Sequence, residues 1–351
     1  MSPNPLSRDA VAAVDASRLI DDVLAQPLQL TDALWRARSA DIPTRDLAGG
    51  VVVCGMGGSA IGGDLALAAL GDRATRPIWT RRGYGLWPWT PPDTLVLCAS
   101  YSGNTEETLA GFEAARAAGT GRVVMTTGGA LADAARADGV PVIGLPGGMA
   151  PRCAVLYMTI GTLECAAACG AAPEIRSEIE NAAALIERLV AAWGPDSDED
   201  SQAKALARSL HGTLPVIHGS GPTNAVARRW STQLNENAKL AAFPSELPEA
   251  DHNQICGWER GRDAAPLSAV FLEDPDHHPR VRERVDLTIE EIERSGAPAV
   301  RVGSRGESRL ERILSLVLLG DLVSVYMAVL AGVDPAPTAA LDRLKERLGK
   351  P

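Results

Sequence analysis

The chain has 351 residues, of which 46% are hydrophobic and 22% charged, and its formal net charge is −10. That length predicts two domains, each with a sizeable core. The acidic balance argues against nucleic acid as the main partner, because phosphate backbones are held mostly by clustered lysine and arginine. An acidic protein can still bind a small phosphate at one site.

The N-terminal region is predicted to form helices and to lack a targeting signal. Residues 1–15 have no long apolar segment after a basic start, so a secretory signal is not expected and a cytoplasmic location is predicted. Helical patterns over 8–24 and 30–40 form a lead that ends near residue 45.

Strand and helix patterns alternate after this lead. A run of β-type residues at 51–54 enters a glycine-rich turn, and the following pattern predicts a parallel sheet covered on both faces. The small, apolar stretch 154–172 contains Glu164 and two glycines, which favours a buried helix over a membrane span. The remaining predicted strands are 94–99, 122–126 and 140–145, and the predicted helices are 106–118 and 130–137.

A second cycle follows the acidic stretch 194–201, which is predicted to be a linker or a solvent-exposed loop. The chain therefore repeats one α/β layout twice, and we divide it into domains 1–170, including the helical lead 1–45, and 171–351. The second cycle has predicted strands at 214–218, 267–272 and 297–302, and predicted helices at 222–240, 310–331 and 338–348.

Six cysteines lie mostly among apolar residues and form no CxxC pair, so buried, reduced thiols are predicted. The histidines show no HxH or HExxH spacing. No metal site is therefore predicted.

The first glycine-rich turn, 54–60, reads CGMGGSA and leads from a strand into a helix. Such a turn presents free backbone N–H groups to an anion. It also matches a GxGxxA dinucleotide fingerprint, but the next strand ends in Trp-Thr-Arg-Arg instead of the acidic residue that would hold a ribose. A tight turn that only lets strand and helix pack is a further alternative.

A second turn, 100–108, reads SYSGNTEET and directly follows a predicted strand. Ser100, Ser102 and Thr105 bring three hydroxyls to a helix start, where they can donate to phosphate oxygens alongside backbone amides. A plain N-cap explains Thr105 with the two glutamates after it, but not the two serines. We therefore predict phosphate binding at this turn.

The densest polar stretch is 235–253. Glu236 lies between Asn235 and Asn237 late in a predicted helix, which suggests a carboxylate held by hydrogen bonds in a site. A solvated helix end is the alternative. His252 follows Asp251 and could equally be an oriented surface imidazole.

With these residues in hand, the chain resembles the bifunctional phosphoglucose/phosphomannose isomerases of the sugar isomerase (SIS) superfamily. The resemblance runs from about residue 47 to 348. Its motifs are the glycine turn at 55–59, the hydroxyl turn at 100–108, Pro151-Arg152, the segment 235–239, His252-Asn253, and the ending from 332–335 through 344–345. It implies two SIS domains, each a parallel sheet flanked by helices in a flavodoxin-like three-layer sandwich.

The resemblance also implies roles for individual residues. The 6-phosphate would bind to Ser100, Ser102 and Thr105, and the sugar would lie against Gly57, Gly58 and Ser59. Arg152 would contact the C1 and C2 oxygens, and Glu236 would move the proton between those carbons. His252 and Lys345 would help to open the ring, with His252 contributed by the partner subunit of a homodimer. Thr338 would leave room for the mannose epimer.

Aldose-ketose isomerisation suits these residue types. It needs a positioned base and a stabiliser for a negative enediolate, which a carboxylate and a guanidinium supply. Neither a metal nor a nicotinamide is required, so no cofactor is predicted. The competing hypotheses are a non-catalytic sugar-phosphate sensor and a nucleotide-dependent oxidoreductase. A sensor would normally carry a DNA-binding or other effector module, and the N-terminal lead has no basic recognition helix.

Overall fold

The computed structural model describes residues 5–263 and 265–349. Its strands form two parallel sheets, one in each half of the chain. The first sheet contains β1 (Val51–Cys54), β2 (Ile78–Arg81), β3 (Leu95–Ala99), β4 (Gly121–Thr126) and β5 (Val142–Gly144). The second contains β6 (Leu214–Gly219), β7 (Phe243–Glu246), β8 (Leu267–Glu273) and β9 (Ala299–Gly303).

Helices cover both faces of the sheets, as the sequence predicted. The helices are α1 (Arg8–Ala12), α2 (Leu19–Leu24), α3 (Gln26–Ser39), α4 (Gly57–Leu70), α5 (Glu106–Ala117), α6 (Gly129–Ala137), α7 (Val155–Ala168), α8 (Arg176–Trp193), α9 (Gln202–Leu210), α10 (Asn224–Asn237), α11 (Pro279–Arg294), α12 (Arg309–Ala331) and α13 (Ala339–Leu348). Helices α8, α9 and α11 and strand β7 were not predicted from the sequence.

The two sheets share one topology. The strand order is β2-β1-β3-β4-β5 in the first and β7-β6-β8-β9 in the second, with all neighbours parallel. In both, the first strand lies between the second and the third. The order therefore reverses there, and the adjacent carboxyl ends form the crevice in which open α/β sheets bind ligands.

Burial alternates along β1 between two cores. Val51 and Val53 face the main core beside α4 and α7, whereas Val52 and Cys54 face a smaller core beneath α5 and α6. Strands buried on both faces need continuous apolar runs, which is why β1 reads VVVC.

The long helix α12 joins the halves. It packs on α8, α9 and α10 of the second half and also on α4 of the first. A capping box between Ser308 and Glu311 begins it, and Gly332 ends it in the left-handed conformation with φ +66°. This helix is long and apolar enough to span a membrane, yet 89% of its most apolar window is buried inside the protein. It therefore has the character of a core helix.

The helical lead differs from the prediction of one continuous helix over 8–24. It breaks into α1 and α2 because the buried Asp15 carboxylate accepts hydrogen bonds from the backbone N–H groups of Leu19 and Ile20, at 2.9 and 2.8 Å. Arg18, in the segment between α1 and α2, adopts φ +57°. An aspartate that caps the following turn competes with continuation of the helix before it.

The acidic segment 194–201 is a loop, and it is packed against the lead. Asp196 pairs with Arg8, and Glu199 accepts a hydrogen bond from the backbone N–H of Leu6 at 3.2 Å. Lys204, which is fully buried, donates to the carbonyls of Pro195 and Ser197. The contacts of Asp196 and Glu199 with the lead connect the two halves, while the boundary after residue 170 stays a prediction.

All six cysteines are free thiols. Five are buried, as predicted, and Cys256 is exposed. The predicted buried helix within 154–172 is α7, and residues Val155 to Ala166 are buried throughout it.

Candidate active site

Two turns abut at the carboxyl edge of the first sheet, where β1 and β3 end side by side. A side chain at Gly55 would put its Cβ 2.9 Å from the carbonyl oxygen of Ala99, so only glycine lets the turns approach this closely. The glycine turn and the hydroxyl turn predicted from the sequence are therefore neighbours at the crevice.

The glycine turn also makes room for Arg152. Gly57 has φ +50°, and a Cβ at Gly58 would lie 3.1 Å from both the Cα of Arg152 and the carbonyl oxygen of Pro151. These two residues belong to a 3₁₀ turn, Pro151–Ala154, that packs on the start of α4. Ser59 is buried in the first turn of α4.

The hydroxyl turn keeps its polar groups at the start of α5. The hydroxyl oxygens of Ser100 and Thr105 are 2.8 Å apart, and Ser100 Oγ also accepts from the backbone N–H of Gly103 at 3.1 Å. Thr105 occupies the N-cap position, but its side chain makes no capping hydrogen bond. Ser102 is exposed, and its Oγ accepts from the N–H of Asn104 at 3.3 Å. The amides at this helix start therefore lack the side-chain acceptor that a plain N-cap would provide.

The equivalent turn of the second sheet holds a buried carboxylate of the protein itself. There β8 is followed by Asp274, which is buried and accepts from Arg312 Nε at 3.0 Å and from Ser304 Oγ at 2.8 Å. Asp274 and Arg312 satisfy each other, so this turn presents to a phosphate neither the free hydroxyls seen at 100–105 nor an unpaired arginine.

Arg152 is 5% exposed, and most of its donors are used inside the protein. Its Nε donates to Oδ1 of Asn237 at 2.6 Å, and its Nη2 donates to the carbonyls of Pro335 and Ala336 at 2.8 and 3.0 Å. Its Nη1 is 3.5 Å from Oε2 of Glu236. The predicted guanidinium and carboxylate therefore lie side by side.

Glu236 lies in the last turn of α10 with its side chain 29% exposed. It borders a cavity of about 170 Å³ between the two halves. The cavity is lined by Gly57, Gly58, Ile61, Arg82, Arg152, Arg228, Arg229, Thr232, Gln233 and Glu236. Four of the residues predicted for the site, Gly57, Gly58, Arg152 and Glu236, thus meet at one cavity, although they come from opposite halves of the chain.

A buried polar network supports this arrangement from behind. Arg229 Nη2 donates to the carbonyl oxygen of Arg152 at 3.2 Å and to the Asp321 carboxylate at 2.8 Å. Gln233 and Gln26 donate to the same carboxylate. Burial raises the pKa of Asp321, against the opposing effect of Arg229. The network ties α10, α12 and the helical lead to the turn that carries Arg152.

The asparagines beside Glu236 do not hold it, contrary to the expectation from the sequence. Asn235 Nδ2 donates to the carbonyls of Leu240 and Ala242, and Asn237 faces Arg152. Lys239 caps the helix end, because its Nζ donates to the carbonyls of Glu236 and Asn237. These polar residues order the end of α10 and leave the Glu236 carboxylate facing the cavity.

The remaining predicted site residues lie outside this cavity. His252 ends the 3₁₀ turn Glu249–His252 and is exposed. Its neighbour Asp251 does not orient it, since that carboxylate accepts from Thr288 Oγ1 at 2.9 Å and from Arg284 at 3.2 Å. Thr338 is half-buried at the start of α13, two residues after Ala336, which contacts Arg152. Lys345 is exposed on α13.

Comparison with known proteins identifies the family. A relative from Caldicellulosiruptor bescii, named bifunctional phosphoglucose/phosphomannose isomerase, is 36% identical over 330 residues, covering 93% of this chain and 97% of the relative. A protein of the same name from Aquifex aeolicus is 35% identical over 302 residues, covering 86% and 91%. The chain belongs to the bifunctional phosphoglucose/phosphomannose isomerase family.

Two further comparisons agree with this family and its fold. Residues 199–348 match the model of the bacterial phospho-glucose isomerase C-terminal SIS domain. The crystal structure of a hypothetical protein from Thermus thermophilus superposes with a TM-score of 0.74 at 16% identity, covering 97% of this chain and 94% of that one. The predicted fold class, two SIS domains with parallel sheets flanked by helices, is confirmed.

Several residues of this family member's cavity were missed from the sequence. Arg228 and Thr232 lie eight and four residues before the predicted Glu236, which places all three on one face of α10, and this spacing could have revealed the two missed residues. Arg82 directly follows β2, and in the sequence it counted only against a ribose site, not as a residue of this cavity. Arg82 and Arg228 also line a larger neighbouring cleft of about 620 Å³, so the two cavities are adjacent.

Two observations bear on other chemistry at the site. Burial raises the pKa of the Cys153 thiol, next to Arg152, to about 12, so this cysteine is protonated at neutral pH. Within residues 5–263 and 265–349, no three histidine, cysteine, aspartate or glutamate side chains lie close enough together to hold a metal ion.

Proposed function

We propose that this chain is an aldose-ketose isomerase that interconverts glucose 6-phosphate and mannose 6-phosphate with fructose 6-phosphate. Family membership supports the substrate class. The observation that carries the proposal is the approach of Arg152 Nη1 to Glu236 Oε2 at 3.5 Å, beside the glycine turn. A base and a fixed positive charge are thereby adjacent in one partly enclosed cavity.

In the proposed reaction, Glu236 takes the proton from C2 of the open-chain aldose. The C1 oxygen receives the electron pair as negative charge, and the adjacent Arg152 guanidinium stabilises it. Glu236 then returns the proton to C1, while the oxygen-bound hydrogen moves from O2 to O1. The reverse sequence converts the ketose into either aldose epimer.

The phosphate end of the substrate is assigned to the hydroxyl turn. Ser100, Ser102 and Thr105 would donate to the phosphate oxygens together with the uncapped amides of α5. Gly57, Gly58 and Ser59 would form the wall along the sugar chain. Because the two turns abut at Gly55, one extended six-carbon sugar could contact both the hydroxyls and the carboxylate.

Ring opening is assigned to His252 and Lys345, with Thr338 leaving space for the mannose epimer. In this proposal the active enzyme is a cytoplasmic homodimer, and His252 of the partner subunit completes each site. The exposure of His252 and Lys345 in the single chain is compatible with a role at such an interface.

The decisive experiment is turnover of all three hexose 6-phosphates by purified Glu236→Gln protein, with chelator and without added metal. The variant keeps the side-chain shape but loses the base, so we expect activity to fall about 10²- to 10⁴-fold. Glu290→Gln, on the exposed face of α11, is the matched control and should keep wild-type activity.

Calorimetry on the same variant separates catalysis from sensing. Binding of fructose 6-phosphate should survive in Glu236→Gln because the phosphate contacts are intact. Unchanged turnover would remove Glu236 from the mechanism. Tight binding by the wild-type protein without any turnover would favour the sensor hypothesis.

A further inference from the structure

The N–H donors of Arg152 are divided between the protein interior and the cavity. An arginine side chain carries five N–H donors. Three of them point to neutral oxygens of the protein, those of Asn237, Pro335 and Ala336. The Nη1 group, 3.5 Å from Glu236, is left for the cavity.

A buried arginine that is held by neutral acceptors is unusual, because buried charges are ordinarily paired with an opposite charge. Arg229 follows the ordinary pattern and pairs with buried Asp321. For Arg152, in the described parts of the chain, the one carboxylate within 4.0 Å is that of Glu236, on the cavity side. On its protein side, the described residues therefore hold this guanidinium by neutral oxygens, with no carboxylate in direct contact.

Asn237 holds the rear of this guanidinium and is itself fixed. It is 0% exposed, and its Nδ2 donates to Ser324 Oγ at 2.8 Å. The Ser324 hydroxyl in turn donates to the carbonyl oxygen of Asp321 at 2.7 Å. Because Arg152 Nε is a donor, the amide must present its oxygen to it, and a single amide orientation satisfies both neighbours.

We propose that Asn237 is a positioning residue that tunes Arg152: its neutral amide aims the guanidinium at the cavity while leaving the whole positive charge available to the enediolate. This inference rests on the proposed isomerase function and deepens it. An aspartate has nearly the same shape and would accept the same hydrogen bond, but its charge would neutralise Arg152 at the moment when negative charge develops on the sugar.

The test compares two ligands in Asn237→Asp and wild-type protein. A five-carbon aldonate 5-phosphate carries a carboxylate where the enediolate oxygens form, whereas a hexitol 6-phosphate is uncharged at that end. We expect the variant to bind the aldonate at least about 10-fold more weakly and the hexitol within about 3-fold of wild type. Its kcat should fall by a similar factor to the aldonate affinity, with KM little changed.

Two companion variants separate charge from structure. Ser324→Ala removes the acceptor of the Asn237 amide without adding charge, so it should change the affinities for both ligands by the same factor. Asn235→Asp adds an equal charge on α10 but does not contact Arg152, and it should preserve the ratio of the two affinities.

The outcomes are distinct. A lower aldonate-to-hexitol affinity ratio in Asn237→Asp alone supports the inference. An unchanged ratio, in an enzyme whose wild type turns over hexose phosphates, overturns the inference and leaves the proposed function intact. Equal losses for both ligands, with a lowered thermal midpoint, would reduce Asn237 to a structural residue. A wild-type protein that binds neither ligand would overturn both proposals.

Discussion

The ion pair between Asp321 and Arg229 provides the sharpest test of how the interior supports the site. Both side chains are 2% exposed, and the carboxylate accepts three hydrogen bonds, from Arg229, Gln233 and Gln26. Substituting Asp321→Ala leaves the guanidinium of Arg229 buried without its counter-charge. The same change removes the acceptor for both glutamines.

Removing one partner of a buried ion pair typically costs about 3–5 kcal/mol. Natural proteins have a free energy of unfolding of about 5–15 kcal/mol, so this one change would remove a large share of it. Activity should fall as well, because Arg229 also donates to the carbonyl oxygen of Arg152. We therefore expect Asp321→Ala to be both less stable and less active than wild type.

The assay is urea unfolding at pH 7, followed by circular dichroism, in a double-mutant cycle. The cycle combines the single variants Asp321→Leu and Arg229→Met with the double variant, which replaces both charges by apolar groups and should recover at least about 2 kcal/mol of the sum of the two single losses. The double variant should remain poorly active, since the bond to the Arg152 carbonyl is still absent. A loss below about 1 kcal/mol in Asp321→Ala, or strict additivity in the cycle, would refute this reasoning.

Two further predictions concern charge. Arg228 lines both cavities, and among the described residues no carboxylate lies within 4.0 Å of it. Arg228→Ala should lower kcat/KM about 10-fold and make kcat/KM less dependent on salt, whereas Arg228→Lys should retain the wild-type kcat/KM and its salt dependence. An unchanged salt dependence in the alanine variant would exclude a role of Arg228 in steering the substrate. His218 stacks on Phe271 with ring centroids 4.4 Å apart, and neither of its ring nitrogens has a hydrogen-bond partner among residues 5–263 and 265–349. Burial lowers its pKa from 6.5 to about 4. The unfolded chain therefore binds more protons than the folded one between these values. The contribution of neutral His218 to the free energy of unfolding is fully present above about pH 6.5 and is lost as the pH falls towards 4. Between pH 8 and pH 5 this loss should be about 2 kcal/mol. Urea unfolding at the two pH values measures this loss, which should be absent in His218→Leu; an equal loss in that variant would assign it to other groups.

Local sequence predicted most elements of the first sheet because their signals are local. The run VVVC at 51–54 predicted β1 with the correct bounds, and the threonine followed by two glutamates at 105–107 predicted the start of α5. The prediction failed at 8–24, where a capping bond from Asp15 outweighs helix propensity. It also missed β7, whose residues Phe243 and Pro244 are exposed on an edge strand and show no burial alternation.

The candidate site was predicted as a set of residues, but its contacts were not. Asn235 and Asn237 are the same residue type and flank the same glutamate. Asn235 donates to the carbonyl oxygen of Leu240 in the following loop, whereas Asn237 accepts from Arg152, 85 positions away in sequence. No pattern of spacing distinguishes them, since the difference arises from which side of α10 meets the first half of the chain.

The sequence by itself determined the two α/β halves, the glycine and hydroxyl turns, and the residue types able to move a proton. These depend on periodicity and turn chemistry, which act over a few residues. Only the tertiary structure decided that Arg152 lies 3.5 Å from Glu236 with neutral oxygens behind it. That arrangement depends on packing between α4, α10 and α12, and the distance between segments remote in sequence is set by side chains filling a shared core.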